Sequence, residues 1–190
     1  MATRRQTTVK AAPQKVERKP KGITVEEAVR AYQNDPIINS RIVENTLTDG
    51  QKLVVEALDK GMRGVSEKVL NRVTIPFNIE SFLKEAGVDE VAKLKGKAIT
   101  TENYMSTTKN DLHETLERRY HNGLSKPVAI IIHTEGKCKG IDVNETLGEK
   151  NGFKEQNEVI LARNQRFLVE NVEMRSEWGE AYPVLHLHVI

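Results

Sequence analysis

The chain has 190 residues, 38% of them hydrophobic, which suffices for one core and is too short for several. Its single cysteine, Cys138, excludes an internal disulfide and a four-cysteine zinc cage. No apolar run approaches the roughly eighteen residues of a membrane span, and the start MATRRQTTVK lacks the apolar stretch of a Sec signal, so a soluble protein is expected.

The net charge of +2 is unevenly spread. Residues 1–22 hold seven basic residues against Glu17, without aromatics or periodic apolar positions. Such a segment cannot bury enough surface to offset its ordering entropy. We read 1–22 as a flexible basic arm and 23–190 as one domain. The arm suits contact with nucleic acid or another anionic surface, and suits a plain solubilising tail equally.

Thr24 with Glu27 forms a capping box, opening a helix that carries Val25, Ala28, Val29 and Tyr32 on one face. Thr48 with Gln51 repeats the device ahead of Leu53, Val54, Ala57 and Leu58, and Gly61 is expected to supply a left-handed stop. Short helical patterns follow at 66–72, at 78–86 closed by Gly87, and at 89–94 closed by Gly96. A strand from near Ala98 carries the hydroxyls at 106–108. A helix over about 110–122, with Leu112, Leu116 and Tyr120 at four-residue spacing, ends at Gly123. Strands are predicted at 128–133, 158–163, 166–173 and 184–190. Helices precede strands without regular βαβ alternation, so the class is α+β with a largely antiparallel sheet.

No phosphate-binding loop, dinucleotide fingerprint, zinc-protease helix or nucleophile elbow occurs. His186 and His188, two apart on one strand, have metal-chelating spacing but no carboxylate within sequence reach, and they fit the solvent side of a terminal strand better. Lys137 and Lys139 flank Cys138 and would favour thiolate, yet no base can be assigned to it, and it reads as an incidental loop cysteine.

Three polar sites remain. Gly61-Met-Arg-Gly-Val65 sets an arginine between glycines after a helix stop. Tyr104-Met-Ser-Thr-Thr108 is a hydroxyl cluster on a strand. In Phe153-Lys-Glu-Gln-Asn-Glu158 a loop delivers a glutamate to the start of Val159-Ile-Leu-Ala162. Each is ordinary on its own.

Taken in order and spacing, the three sites resemble the arginine-STS-glutamate family of mono-ADP-ribosyltransferases over about residues 48–190. The third site is most similar to the Rho-modifying clostridial exoenzymes, whose loop reads Phe-x-x-Gln-x-Glu, matched by Phe153, Gln156 and Glu158. Two positions depart: Thr108 stands where the last serine is usual, and Met62 replaces the common aromatic before the arginine. The resemblance implies a core of mainly antiparallel strands in two packed sheets with N-terminal helices. It also implies NAD as substrate, no metal, and an acceptor protein of the host cell. The expected setting is the cytoplasm of a host bacterium or a phage virion, with the arm as a possible nucleic-acid or virion contact and no membrane role.

Cleaving the nicotinamide–ribose bond of NAD builds positive charge on the ribose, so an enzyme must hold a pyrophosphate, clamp nicotinamide and place a carboxylate beside the developing cation. Arg63 suits the phosphates through its planar fork, and Gly64 lets backbone approach the nicotinamide amide. Glu158 is the expected catalytic carboxylate, oriented by Ser106, with Thr107 near the nicotinamide ribose. Phe153 is expected at the loop tip for docking a partner. Gln156, two before Glu158, would meet the acceptor and favours asparagine or glutamine. Arg118 and Arg119 lie where the family's phosphate-and-nicotinamide loop runs, fit a solvated helix face equally, and stay outside the core site. Two other readings stay open: an NAD glycohydrolase, and a phage particle component that keeps the fold.

Overall fold

The computed structural model describes residues 22–123 and 126–190, so residues 1–21 of the expected arm lie outside the described residues. The capping boxes at Thr24 and Thr48 are both formed, and open helices α1 (Val25–Asn34) and α3 (Asp49–Gly61). Between them, α2 (Ile38–Glu44) ends on Asn45 in the left-handed region. α1 and α3 pack on each other through Ala28, Val29, Val54 and Leu58. Gly61 is not the left-handed stop expected of it. It closes α3 in helical conformation, and a Cβ there would stand 2.6 Å from a Val25 methyl, so the missing side chain serves close helix packing.

β1 (Arg63–Gly64) follows at once. The segment read as a helix at 66–72 is instead the strand β2 (Val69–Thr74). β2 is a central strand, pairing along its length with β5 (Val128–His133) and through Asn71 with β4 (Met105–Thr108). Those two ladders override the local helical preference of Ser66-Glu-Lys. α4 (Glu80–Ala86) then ends on Gly87 at φ 65°, as its glycine foretold. The strand expected from Ala98 is two strands. β3 (Ala98–Thr101) lies at one edge of the sheet and β4 on the far side of its centre.

α5 (Leu112–His121), β6 (Lys139–Asp142) with α6 (Val143–Leu147), β7 (Glu158–Leu161) and the hairpin β8 (Gln165–Glu177) and β9 (Glu180–Val189) complete the chain. The strand order is β1-β6-β7-β4-β2-β5-β9-β8-β3, antiparallel throughout except for β5 beside β9. The expected two layers are joined: a single register pair, Asn71 with Thr108, links the β1-β6-β7-β4 half to the rest. Met105, Val159 and Leu161 from one half and Leu70, Ile130 and Leu187 from the other share one core. α1 and α3 cover the outer face of the first half against Ile141 and Ile160, and α5 covers the second against Val73, Ala129 and Val184. The site lies at the join between the halves.

Candidate active site at the join between sheet halves

Glu158 pairs with Thr108, and Ser106 with Ile160, so Ser106 and Glu158 share one face of the β4–β7 ladder. Arg72 reaches them from β2, its Nη1 donating to the Ser106 carbonyl at 2.6 Å. Burial holds this guanidinium below its ordinary pKa, and the neighbouring Glu158 acts in the opposite sense. Tyr104, fully buried, fixes β4 to the helices by donating to the Val55 carbonyl and to Asp59. Together Arg72, Ser106 and Glu158 line a cleft of about 580 Å³ that also takes in Asn71, Arg118, Arg119 and Gln156. Three guanidinium groups and one carboxylate thus face one space. The set suits a ligand with clustered negative charge at one end and developing positive charge at the other.

A second cavity, of about 350 Å³, opens beside the first and shares Ser106, Gln156 and Glu158 with it. Its walls are Tyr32, Gln33, Asp35 and Asn39 on the helical side and Phe153 on the loop side. The loop is held by an asparagine chain. Asn151 donates to Asn144, Asn144 to Asn157, and Asn157 to Asn110, while the Thr108 hydroxyl donates to the Gln156 carbonyl. Phe153 is 54% exposed at its tip. Gln156 ends a short 3₁₀ turn, and Asn157 at φ 44° breaks the strand, so Gln156 and Glu158 do not share a face by strand alternation. The turn brings both to the same cavities by another route.

Arg63 and Gly64 are not brought to this site. They line a separate cavity of about 120 Å³ together with Glu67, Asp142 and Glu145. The Arg63 Nη1 donates to the carbonyls of Lys60 and Met62, satisfying the end of α3. A Cβ on Gly64 would meet nothing within 4 Å, so no close approach depends on that glycine. Thr107 is buried and its hydroxyl donates to the Val159 carbonyl at 2.7 Å, tying β4 to β7. The arginine in the cleft, Arg72, was hidden by the helical reading of 66–72. Ile75-Pro76 was the available signal, because the residue before a proline is pushed towards extended backbone.

The secondary expectations also meet the structure. Cys138 is fully buried, and burial pushes its thiol up to about 12, so the flanking lysines do not produce a thiolate. His186 and His188 have carboxylate partners after all, Glu173 for His186 and Glu135 for His188. Among the described residues no group of three or more His, Cys, Asp or Glu is placed to hold a metal ion, and no helix is long and apolar enough to cross a membrane.

Residues 40–189 match the ADP-ribosyltransferase exoenzyme family. The chain belongs to that family. It is an NAD-dependent mono-ADP-ribosyltransferase, with NAD as substrate. No curated protein matches this transferase by sequence. Its fold is similar to that of Plx2a, an ADP-ribosyltransferase toxin from Paenibacillus larvae, at 16% identity and a TM-score of 0.64, over 87% of this chain and 85% of that one. The Clostridium limosum C3 exoenzyme is similar at 16% identity and a TM-score of 0.64, over 87% and 84%. The ADP-ribosylating toxin BECa of a C. perfringens binary enterotoxin, solved with NADH, is similar at 14% identity and a TM-score of 0.62; the transferase spans 88% of its own length and 44% of that chain. At these identities the likeness speaks for the fold.

Proposed function

We propose that this transferase moves ADP-ribose from NAD to the side-chain carboxamide of an asparagine or glutamine in a protein, with Glu158 as catalytic carboxylate, Ser106 beside it and Arg72 in place of Arg63 on the pyrophosphate. The observation that carries this reading is the meeting of Arg72, Ser106 and Glu158 from three different strands on one cleft. NAD, when bound, supplies the labile nicotinamide–ribose bond. Arg72 offers a fork that keeps its charge at any working pH, and its desolvated setting strengthens its pull on phosphate oxygens. Arg118 and Arg119 extend the positive wall along α5. Glu158 sets its negative charge against the ribose and takes the acceptor's proton.

The acceptor side is read from the loop. Gln156 has an amide that both donates and accepts, matching another carboxamide, whereas a guanidinium acceptor would be served better by a second carboxylate. Phe153, exposed at the loop tip beside the second cavity, suits docking of the acceptor protein. NAD hydrolysis alone is the second reading, favoured by the exposure of Gln156 to solvent.

The test is Glu158→Gln, measured by nicotinamide release and by transfer to proteins of a bacterial lysate. Both fall by about a hundredfold or more while the fold is kept, because an amide cannot oppose the ribosyl charge. A folded variant with near-native nicotinamide release contradicts the assignment.

A further inference from the structure

α1 lies outside the residues that match the family, 40–189, yet it reaches the centre of the site. Gln33 Nε2 donates to Glu158 Oε2 at 2.9 Å. Next to it the Tyr32 hydroxyl stands 3.4 Å from Ser106 Oγ and accepts from Asn39 Nδ2 at 3.0 Å. Asn39 also donates to the Tyr104 carbonyl, so α1, α2 and the start of β4 are tied at one point. Tyr32 is buried, edge-on to Tyr104 with ring centres 5.7 Å apart, and burial keeps its hydroxyl protonated. The capping box at Thr24 and the packing of Ala28 and Val29 make α1 a firm mount for both side chains.

We propose that Gln33 is a positioning residue of this transferase, which aims the Glu158 carboxylate, with Tyr32 placing the Ser106 hydroxyl beside it. The inference rests on Glu158 being the catalytic carboxylate. An amide N–H bonded to a carboxylate fixes its rotamer, and that effect requires no contact with NAD. Gln33 also stands on the second cavity's side of Glu158, while the three arginines line the cleft on the other.

The experiment compares wild type with Gln33→Leu, similar in size without the donor, and with Gln33→Lys, which restores a donor with charge. Nicotinamide release is followed against NAD concentration, and the fold of each variant is checked by circular dichroism. Gln33→Leu is expected to lower kcat about tenfold while KM for NAD stays within about twofold. Gln33→Lys, which restores the donor, recovers most of the lost kcat. An unchanged kcat in Gln33→Leu overturns the proposal, as does an equal loss in both variants, which marks a packing role. Near-native turnover in Glu158→Gln sinks the functional reading, whereas loss in Glu158→Gln with native turnover in Gln33→Leu sinks this inference alone. Recovery of ADP-ribose on Gln33 by mass spectrometry also overturns the proposal, since it makes α1 an acceptor.

Discussion

Two cavities of this transferase each set an arginine near acidic side chains, and they differ in the balance of charge around it. Around Arg63 the carboxylates are several: Glu67, Asp142 and Glu145 line the space, Lys109 pairs with the first two, and the Arg63 Nη1 is turned to the end of α3. Around Arg72 the cations are several: Arg118 and Arg119 stand with it, and Glu158 is the single acid of the lining. The second lining therefore favours an anionic ligand more than the first does. An arginine between glycines is therefore no guide by itself. The decisive feature is which charges the fold gathers round it.

The largest effect expected from this contrast is at Arg72. Arg72→Ala should lower nicotinamide release by about a hundredfold or more, by loss of charge-assisted donors at the phosphates, whereas Arg63→Ala should stay within about twofold in the same assay. Loss of activity in Arg63→Ala with a native fold would break the comparison. On the acceptor side, Gln156→Ala is expected to abolish protein modification and spare most NAD hydrolysis, and Gln156→Glu to move acceptor preference towards arginine. Loss of both activities together in Gln156→Ala would place that residue in the NAD site. A smaller effect belongs to Arg63 itself: its removal leaves two carbonyls at the end of α3 without that donor, costing about 1 kcal/mol in chemical denaturation.

The smallest expected effect lies away from both cavities, where His133, His186 and His188 stack across β5 and β9. Burial, then the charges of His188 and His186, hold the His133 imidazole below its ordinary pKa, with Glu170 and Glu135 opposing. A depressed histidine binds fewer protons folded than unfolded, so stability is complete above about pH 6.5 and declines as pH falls below it. Denaturation midpoints from pH 5 to 8 check this, and His133→Gln should flatten the slope while leaving nicotinamide release at pH 8 unchanged.

Much of this was legible in the sequence where local chemistry decides the outcome. Thr24-Glu27 and Thr48-Gln51 define their helix starts by hydrogen bonds within one turn, and Gly87 and Gly96 take the positive φ that a glycine stop suggests. The α+β class followed from the order of helices and strands, and the placing of Ser106 beside Glu158 from the resemblance to the family. What was not legible depended on distant partners. β2 is a strand because β4 and β5 flank it, and no window around 66–72 contains those strands. With β2 misread, Arg72 was hidden, and Arg63 was the arginine that the order of motifs offered. Thr107 does line the cleft, but that its hydroxyl is spent on the Val159 carbonyl could not be read from the sequence. Gln33 is 125 residues from Glu158, and nothing but the fold could join them.

Arg72, and not Arg63, is the arginine proposed to hold NAD. The most direct test is NAD affinity by calorimetry for Arg72→Lys and Arg63→Lys, prepared side by side with the wild type. Lysine keeps the charge but not the fork, so the account predicts that Arg72→Lys loses about tenfold or more in affinity while Arg63→Lys binds as the wild type does. Unchanged affinity in Arg72→Lys together with weakened binding in Arg63→Lys would contradict it.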